Sequence, residues 1–190
     1  MTPYRAPFAP GDAARQAITA AIPVLTTKRL ILRAPQITDW NVLEPIWRTD
    51  RGQYIGGPFG EEDAWLDFNQ AVAGWVLRGI GYWTVTERNT GAVLGFVGVG
   101  CEYEDPELEF GWLLTADAEG QGYAFEACTA VRAYAFDTLG LRTLISFVDK
   151  RNTRSIHLAQ RLGAVHDPAA VPPAFIDDDF AFRHSPQVPQ

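Results

Sequence analysis

The chain has 190 residues, 47% of them hydrophobic and 21% charged, with a formal net charge of -7. That length supports one domain with its own core, and the acidic balance argues against a nucleic-acid partner, which wants a basic face. No apolar stretch approaches the length of a membrane span, the start MTPYRAPFAPGD does not read as a signal peptide, and the only cysteines, Cys101 and Cys128, form no CxxC or metal-ligand spacing, so the reading is a cytoplasmic chain with reduced thiols and no metal.

Residues 1–23 read as an N-terminal extension, Pro-rich and then helical from Asp12 to Ala21, which packs on the domain or aids a homodimer. Residues 24–190 form the domain proper. LTTKRLILRAP (25–35) predicts a first strand, with Leu30 and Leu32 on one face and Arg29, Ile31 and Arg33 on the other. Thr38 or Asp39 then caps a helix running to about Thr49. RGQYIGGPFG (51–60) is a loop by its glycines and proline. The stretch 61–79 is a second helix, with acids in its first turn and an apolar stripe of Trp65, Phe68, Val72, Trp75 and Val76, read as core. GYWTVTER and AVLGFVGVG are strands joined by the turn NTGA, and ELEFGWLLT (107–115) is another. A glycine turn leads into a long helix ending near Leu139, with Ala124, Ala127, Cys128, Val131, Tyr134 and Ala135 at helical spacing. TLISFVD (143–149) is a strand and 152–163 a helix stopped by Gly163; strand-like pieces follow at 164–166 and 180–183. The order predicts an α/β fold with a mixed twisted sheet of six to seven strands flanked by helices.

The turn is the informative stretch. In AEGQGYAFEA (118–127), Gly120 and Gly122 let backbone N–H groups approach a ligand, and the helix start adds about half a positive charge, which suits a pyrophosphate. A dinucleotide fingerprint fails because Phe125 stands where its third glycine belongs, and the Gly-Lys-Ser/Thr of a P-loop is absent. On these residues alone a phosphate site and an ordinary strand–helix turn remain equal readings.

The wider context resembles the GCN5-related N-acetyltransferases (GNAT). Glu119-Gly120-Gln121-Gly122-Tyr123-Ala124 is similar to that family's acyl-CoA loop, with Glu119 where Gln or Arg is usual. TKRLILR (27–33), LEFGWLL (108–114), GQGYAFEA and NTRSIHLAQRLGA (152–164) resemble, in order, segments of its branch that acetylates ribosomal-protein N-termini. The resemblance implies an acyl-CoA N-acyltransferase fold whose two central strands splay apart, aided by a bulge in the fourth. It implies acetyl-CoA as cosubstrate and direct attack by an amine.

The residue roles follow from the same resemblance. Leu113, Leu114, Gln121, Gly122, Tyr123, Ala124, Asn152 and Ser155 would meet the cofactor, the loop chiefly through its backbone amides, while Asn152 also suits an N-cap. A backbone N–H of the fourth strand would hold the oxyanion. Glu109 is the candidate base, with Glu107 on its face by strand alternation; both also fit solvated strand-edge charges. Many relatives place a tyrosine where this chain has Ala159, so Ser155, one turn earlier, is the candidate proton donor. Lys150, Arg151 and Arg154 suit CoA phosphates or a solvated face; His157, His166 and His184 take no role. The stretch 54–59 and Trp83 would shape the acceptor pocket, and the acids at 102–109 and 177–179 favour a cationic acceptor or simply solubilise the surface. The acceptor is a peptide α-amine or a small cationic amine; a non-catalytic acyl-CoA-binding module is the rival from another class.

Overall fold

Alternation of apolar and polar residues builds the sheet as expected, beginning at the first strand pair. The computed structural model describes residues 5–7, 9–103, 105–173 and 179–186. The chain forms α1 (Asp12–Ala21), β1 (Leu25–Thr26), β2 (Leu30–Arg33), α2 (Trp40–Arg48), α3 (Glu61–Arg78), β3 (Tyr82–Glu87), β4 (Val93–Gly100), β5 (Glu109–Leu114), α4 (Tyr123–Ala133), β6 (Leu144–Asp149), α5 (Thr153–Arg161), β7 (Val165–His166) and β8 (Asp179–His184). Leu30 and Leu32 are fully buried while Ile31 and Arg33 are half-buried, the period of a one-sided strand. The expected first strand breaks at 27–29, so the sheet has eight strands rather than six or seven. Their order is β1-β2-β3-β4-β5-β6-β8-β7, all antiparallel except β5 and β6.

The parallel pair positions the site. β5 and β6 meet at Glu109–Ile145 only, where the Ile145 N–H donates to the Leu108 carbonyl at 3.1 Å. Beyond Glu109 the strands part. The bulge expected in this strand is absent: β5 runs in unbroken register with β4 from Glu109 to Leu114. The sheet's irregularity lies instead between Val85 and Thr86, where β3 meets β4. The splay therefore needs no extra residue in β5, only a neighbour that diverges from it.

Helices cover both faces. On one, Ala127, Cys128, Val131 and Ala135 of the α4 segment pack on Leu30, Leu32, Trp83, Val85 and Phe110. The last turns of that segment widen into a π-helix, Tyr134–Thr138. On the other, α2 and α3 enclose Trp40, Trp47, Phe68 and Phe96, whose rings meet at tilted, edge-on and stacked angles with centroids 5.4–6.4 Å apart. Phe68 and Trp75 of the expected stripe are buried and Trp65 half-buried, but Val76 is 63% exposed. Asp39 does not cap α2 with its side chain: the carboxylate turns back to the Gln36 N–H, Arg33 and Thr84, trading the cap for a buried ion pair. Ala159 lies fully buried with Val148, Ala164 and Phe182, so its position faces core rather than open space. Among the described residues no helix is long and apolar enough to cross a membrane. The acids at 177 and 178 and Glu104 lie outside the described residues.

Candidate active site

Where β5 and β6 part, a cleft of about 1560 Å³ opens between the two strands, the start of α4, the start of α5 and the turn Asp50–Tyr54. Main-chain parity decides what β5 offers it. The carbonyls of Leu108, Phe110 and Leu114 accept bonds from Ile145 N–H, Ser146 Oγ and Arg51 Nη2 on the cleft side of the strand. Thr115 N–H donates to Leu94 on the other edge. By the period of two, Trp112 and Leu114 turn their N–H groups to the cleft, while the main chain of Leu113 faces β4. Leu113 therefore lines the cleft with its side chain and offers no backbone donor there.

The glycine turn takes up positive φ at Gly120 (72°) and Gly122 (78°), the second directly before α4, so an L side chain at either would be strained. Gly122, Tyr123 and Ala124 line the cleft, and the first-turn N–H groups of α4 lack helical partners. Gln121 does not line it: its side-chain amide donates to the Asp117 carbonyl, and its own carbonyl accepts from Arg29 Nη1 at 2.9 Å. Arg29 was not legible as a site residue. It stacks over the Tyr123 ring at 4.4 Å and pairs with Glu126, whose carboxylate also takes Thr27 Oγ1 and the Arg29 N–H. Despite some burial, these bonds hold the Glu126 pKa below its ordinary value. These contacts of Thr27 and Arg29 fasten the loop and the first turn of α4 to the β1–β2 turn.

Across the cleft, Asn152 Oδ1 accepts the Ser155 N–H at 3.2 Å and caps α5. Ser155 Oγ accepts from Trp112 Nε1, also at 3.2 Å. Because the indole donates, the serine hydroxyl keeps its own proton free. Arg151 is held by Asp149; it, Lys150 and the exposed His157 line the rim, where no role was expected for His157.

The inner end is acidic. Glu107 is drawn away by a two-bond pair with Arg183 at 2.7 and 2.9 Å and does not line the cleft, which leaves Glu109 on it. Glu109 is half-buried, and burial, with Asp105 and Glu102 adding repulsion, pushes its pKa up to about 8 against a bond from the Phe147 N–H. Burial, with repulsion from Asp67 and Asp105, likewise raises Glu102 to about 7. Asp67, raised by burial, accepts from Trp47 Nε1. Between these acids lies the Tyr82 hydroxyl, kept protonated by burial and by Glu109, Glu102, Asp67 and Asp105. It rests on β5 so closely that a Cβ at Gly111 would stand 2.1 Å from it. The aromatic expected here was Trp83. Strand alternation puts Trp83 on the opposite face, fully buried, its Nε1 donating to Pro23 at 2.7 Å; Tyr54 and Ile55 do line the cleft. Among the described residues no group of His, Cys, Asp and Glu is arranged to hold a metal ion.

Comparison with known proteins bears on the family and the fold. Residues 29–165 match the family model described as the acetyltransferase (GNAT) domain. The chain is 27% identical over 141 residues to YnaD of Bacillus subtilis, described as an uncharacterized N-acetyltransferase; the match spans 73% of this chain and 81% of YnaD. A crystal structure of an acetyltransferase from Agrobacterium tumefaciens superposes with a TM-score of 0.82 at 36% identity, covering 87% of this chain and 95% of that one. Spermidine N-acetyltransferase from Vibrio cholerae, solved with CoA and spermine, gives 0.64 at 19% identity, with 83% and 94% covered.

Proposed function

The chain belongs to the GNAT acetyltransferases, and from that membership we propose that it moves an acetyl group from acetyl-CoA to a primary amine. The observation that carries this reading is the convergence on one cleft of the glycine turn, the open edge of β5, Glu109 and the Ser155–Trp112 pair. The residues present fit the cosubstrate: the turn offers helix-start N–H groups with no helical partner, and beside it Arg51 keeps a buried Nε that has no partner among the described residues. When bound, acetyl-CoA supplies an activated thioester.

Each step then falls to a residue of this chain. The Trp112 N–H, on the open edge, stabilises charge developing on the acetyl oxygen. Glu109 accepts the proton that the amine loses, directly or through a water; a group titrating near 8 is well matched to an amine nucleophile. Ser155 returns a proton to the departing sulfur. Tyr82 Oη and the carboxylates of Asp67 and Glu102 line the end where the amine enters.

The acceptor in this reading is a peptide or protein α-amine, as the branch resemblance implies. The acidic inner wall favours a second acceptor class, a small cationic amine. At 19% identity the spermidine enzyme speaks for the fold alone, so the choice belongs to experiment. Thiol release from acetyl-CoA, measured with unblocked peptides and with small polyamines, tests the reading. Acceptor-dependent release supports it and identifies the class. Saturable acetyl-CoA binding without release to any amine would remove the transfer chemistry, and absence of binding would remove the cofactor assignment.

A further inference from the structure

We infer that Arg51 is a phosphate ligand of the cofactor, held ready by Glu119. The inference rests on the acetyl-CoA reading and adds to it a residue from the acceptor side of the cleft. Glu119 immediately precedes Gly120 and carries a negative charge where a pyrophosphate would lie; alone it would repel that ligand. It is not alone. Arg51 Nη2 donates to Glu119 Oε1 at 2.6 Å, and Arg154 Nη1 pairs with Oε2. Two guanidiniums on one carboxylate leave the group a single net positive charge, beside a helix start of the same sign.

The two arginines are held differently. The Arg154 side chain is 80% exposed and Glu119 is its one ion-pair partner among the described residues. The Arg51 side chain is 26% exposed, and its Nη2 also donates to the Leu114 carbonyl at 2.6 Å, on the open edge of β5. If Glu119 lets go, Arg51 stays tethered. Its Nε is buried without a partner, and its Nη1 has none among the described residues, so donors remain for a phosphate oxygen. Cofactor phosphate thus takes the place of the Glu119 carboxylate on a guanidinium already in position. Arg51 also lies in the turn Asp50–Tyr54, whose Tyr54 lines the cleft, so the cofactor would be gripped by the segment that faces the acceptor.

Substitutions at the two partners should therefore act in opposite directions. Affinities of the full-length wild type, Arg51→Ala and Glu119→Gln are measured by calorimetry for acetyl-CoA. Ligand-observed magnetic resonance measures the same three for S-acetylpantetheine, which has the thioester arm without pyrophosphate or nucleotide. Arg51→Ala should weaken acetyl-CoA by about tenfold or more, the scale of a lost charged hydrogen bond, and leave S-acetylpantetheine unchanged. Glu119→Gln, at a side chain one-third exposed, should bind acetyl-CoA several-fold more tightly. Equal loss of both ligands in Arg51→Ala, unchanged acetyl-CoA affinity, or weaker binding in Glu119→Gln overturns the inference while the cofactor reading stands. Wild type that binds neither ligand overturns the cofactor reading and this inference with it.

Discussion

Trp112 Nε1 donates a hydrogen bond to Ser155 Oγ at 3.2 Å, joining the open strand to the cap of α5. The bond sets the direction of the serine hydroxyl without consuming its proton. Ser155→Ala should lower kcat by about 10²-fold, the lower range for a lost general acid, with little change in acetyl-CoA affinity. Trp112→Phe keeps an aromatic side chain, though a smaller one, and loses the donor, so a smaller loss, about tenfold, is expected. Steady-state kinetics of both variants decide the matter; unchanged kcat in Ser155→Ala would assign the proton to another group.

Glu109 carries a cost as well as a role. Its folded pKa, about 8, exceeds the ordinary 4.5. Below pH 4.5 folded and unfolded chains both hold the proton, and the group costs nothing. As pH rises from 4.5 to 8 the unfolded chain releases it first, and stability falls. Glu109→Gln should therefore unfold at a higher temperature than wild type at pH 8 and show a smaller gain at pH 5, while losing about 10²-fold or more in kcat/KM. In wild type, kcat/KM should rise toward pH 8 with acceptors of different amine pKa; a profile that follows the acceptor alone would exclude Glu109 as the base.

Gly111 leaves the space in which the Tyr82 hydroxyl sits. Gly111→Ala drives a methyl into that hydroxyl and should raise the acceptor KM with acetyl-CoA affinity unchanged. Tyr82→Phe, which removes only the oxygen, should raise it in the same sense and fold normally. Unaltered acceptor KM in both would place the amine elsewhere in the cleft.

His184 governs the acid side of stability. Burial and the nearby Arg132 hold its pKa down, to about 4, and its Nε2 lies 3.1 Å from Ser146 Oγ, which donates to the Phe110 carbonyl. The ring is neutral when folded and titrates near 6.5 when unfolded, so its contribution is intact above 6.5 and is lost as pH falls toward 4, by at most about 3 kcal/mol. Denaturant unfolding of wild type and His184→Gln at pH 7 and pH 4.5 tests this: the variant should lose less stability over that interval.

The fold was legible because alternation and helical spacing report burial directly, as Leu30 and Leu32 illustrate. The glycine turn was legible because positive φ at Gly120 and Gly122 demands glycine. What the sequence hid was pairing at a distance. Glu119 stands where the family usually has Gln or Arg, and nothing in the sequence placed Arg51, 68 residues away, and Arg154 on it. Glu109 was the candidate base with Glu107 beside it on the same face, and the sequence did not show that Arg183, 76 residues on, pairs with Glu107. Trp83 was named for the pocket and Tyr82 was missed, because adjacent aromatics on a strand buried on both faces do not reveal which of them meets the cleft. The missing tyrosine at 159 has a packing reason, visible only once Val148, Ala164 and Phe182 are seen around Ala159.

The parity of β5 carries a consequence for how such a chain can diverge. Even-numbered positions hand their amides to the cleft, and odd-numbered ones are stitched to β4 without a bulge to absorb slippage. Side chains along the strand can be exchanged one at a time. Inserting or deleting a single residue between Glu109 and Trp112 would instead reverse the facing of every residue on one side of the change, turning either the Trp112 amide inward or the Glu109 carboxylate to the far face. A change of length is therefore expected to be tolerated in the loops at either end and not within this hexapeptide.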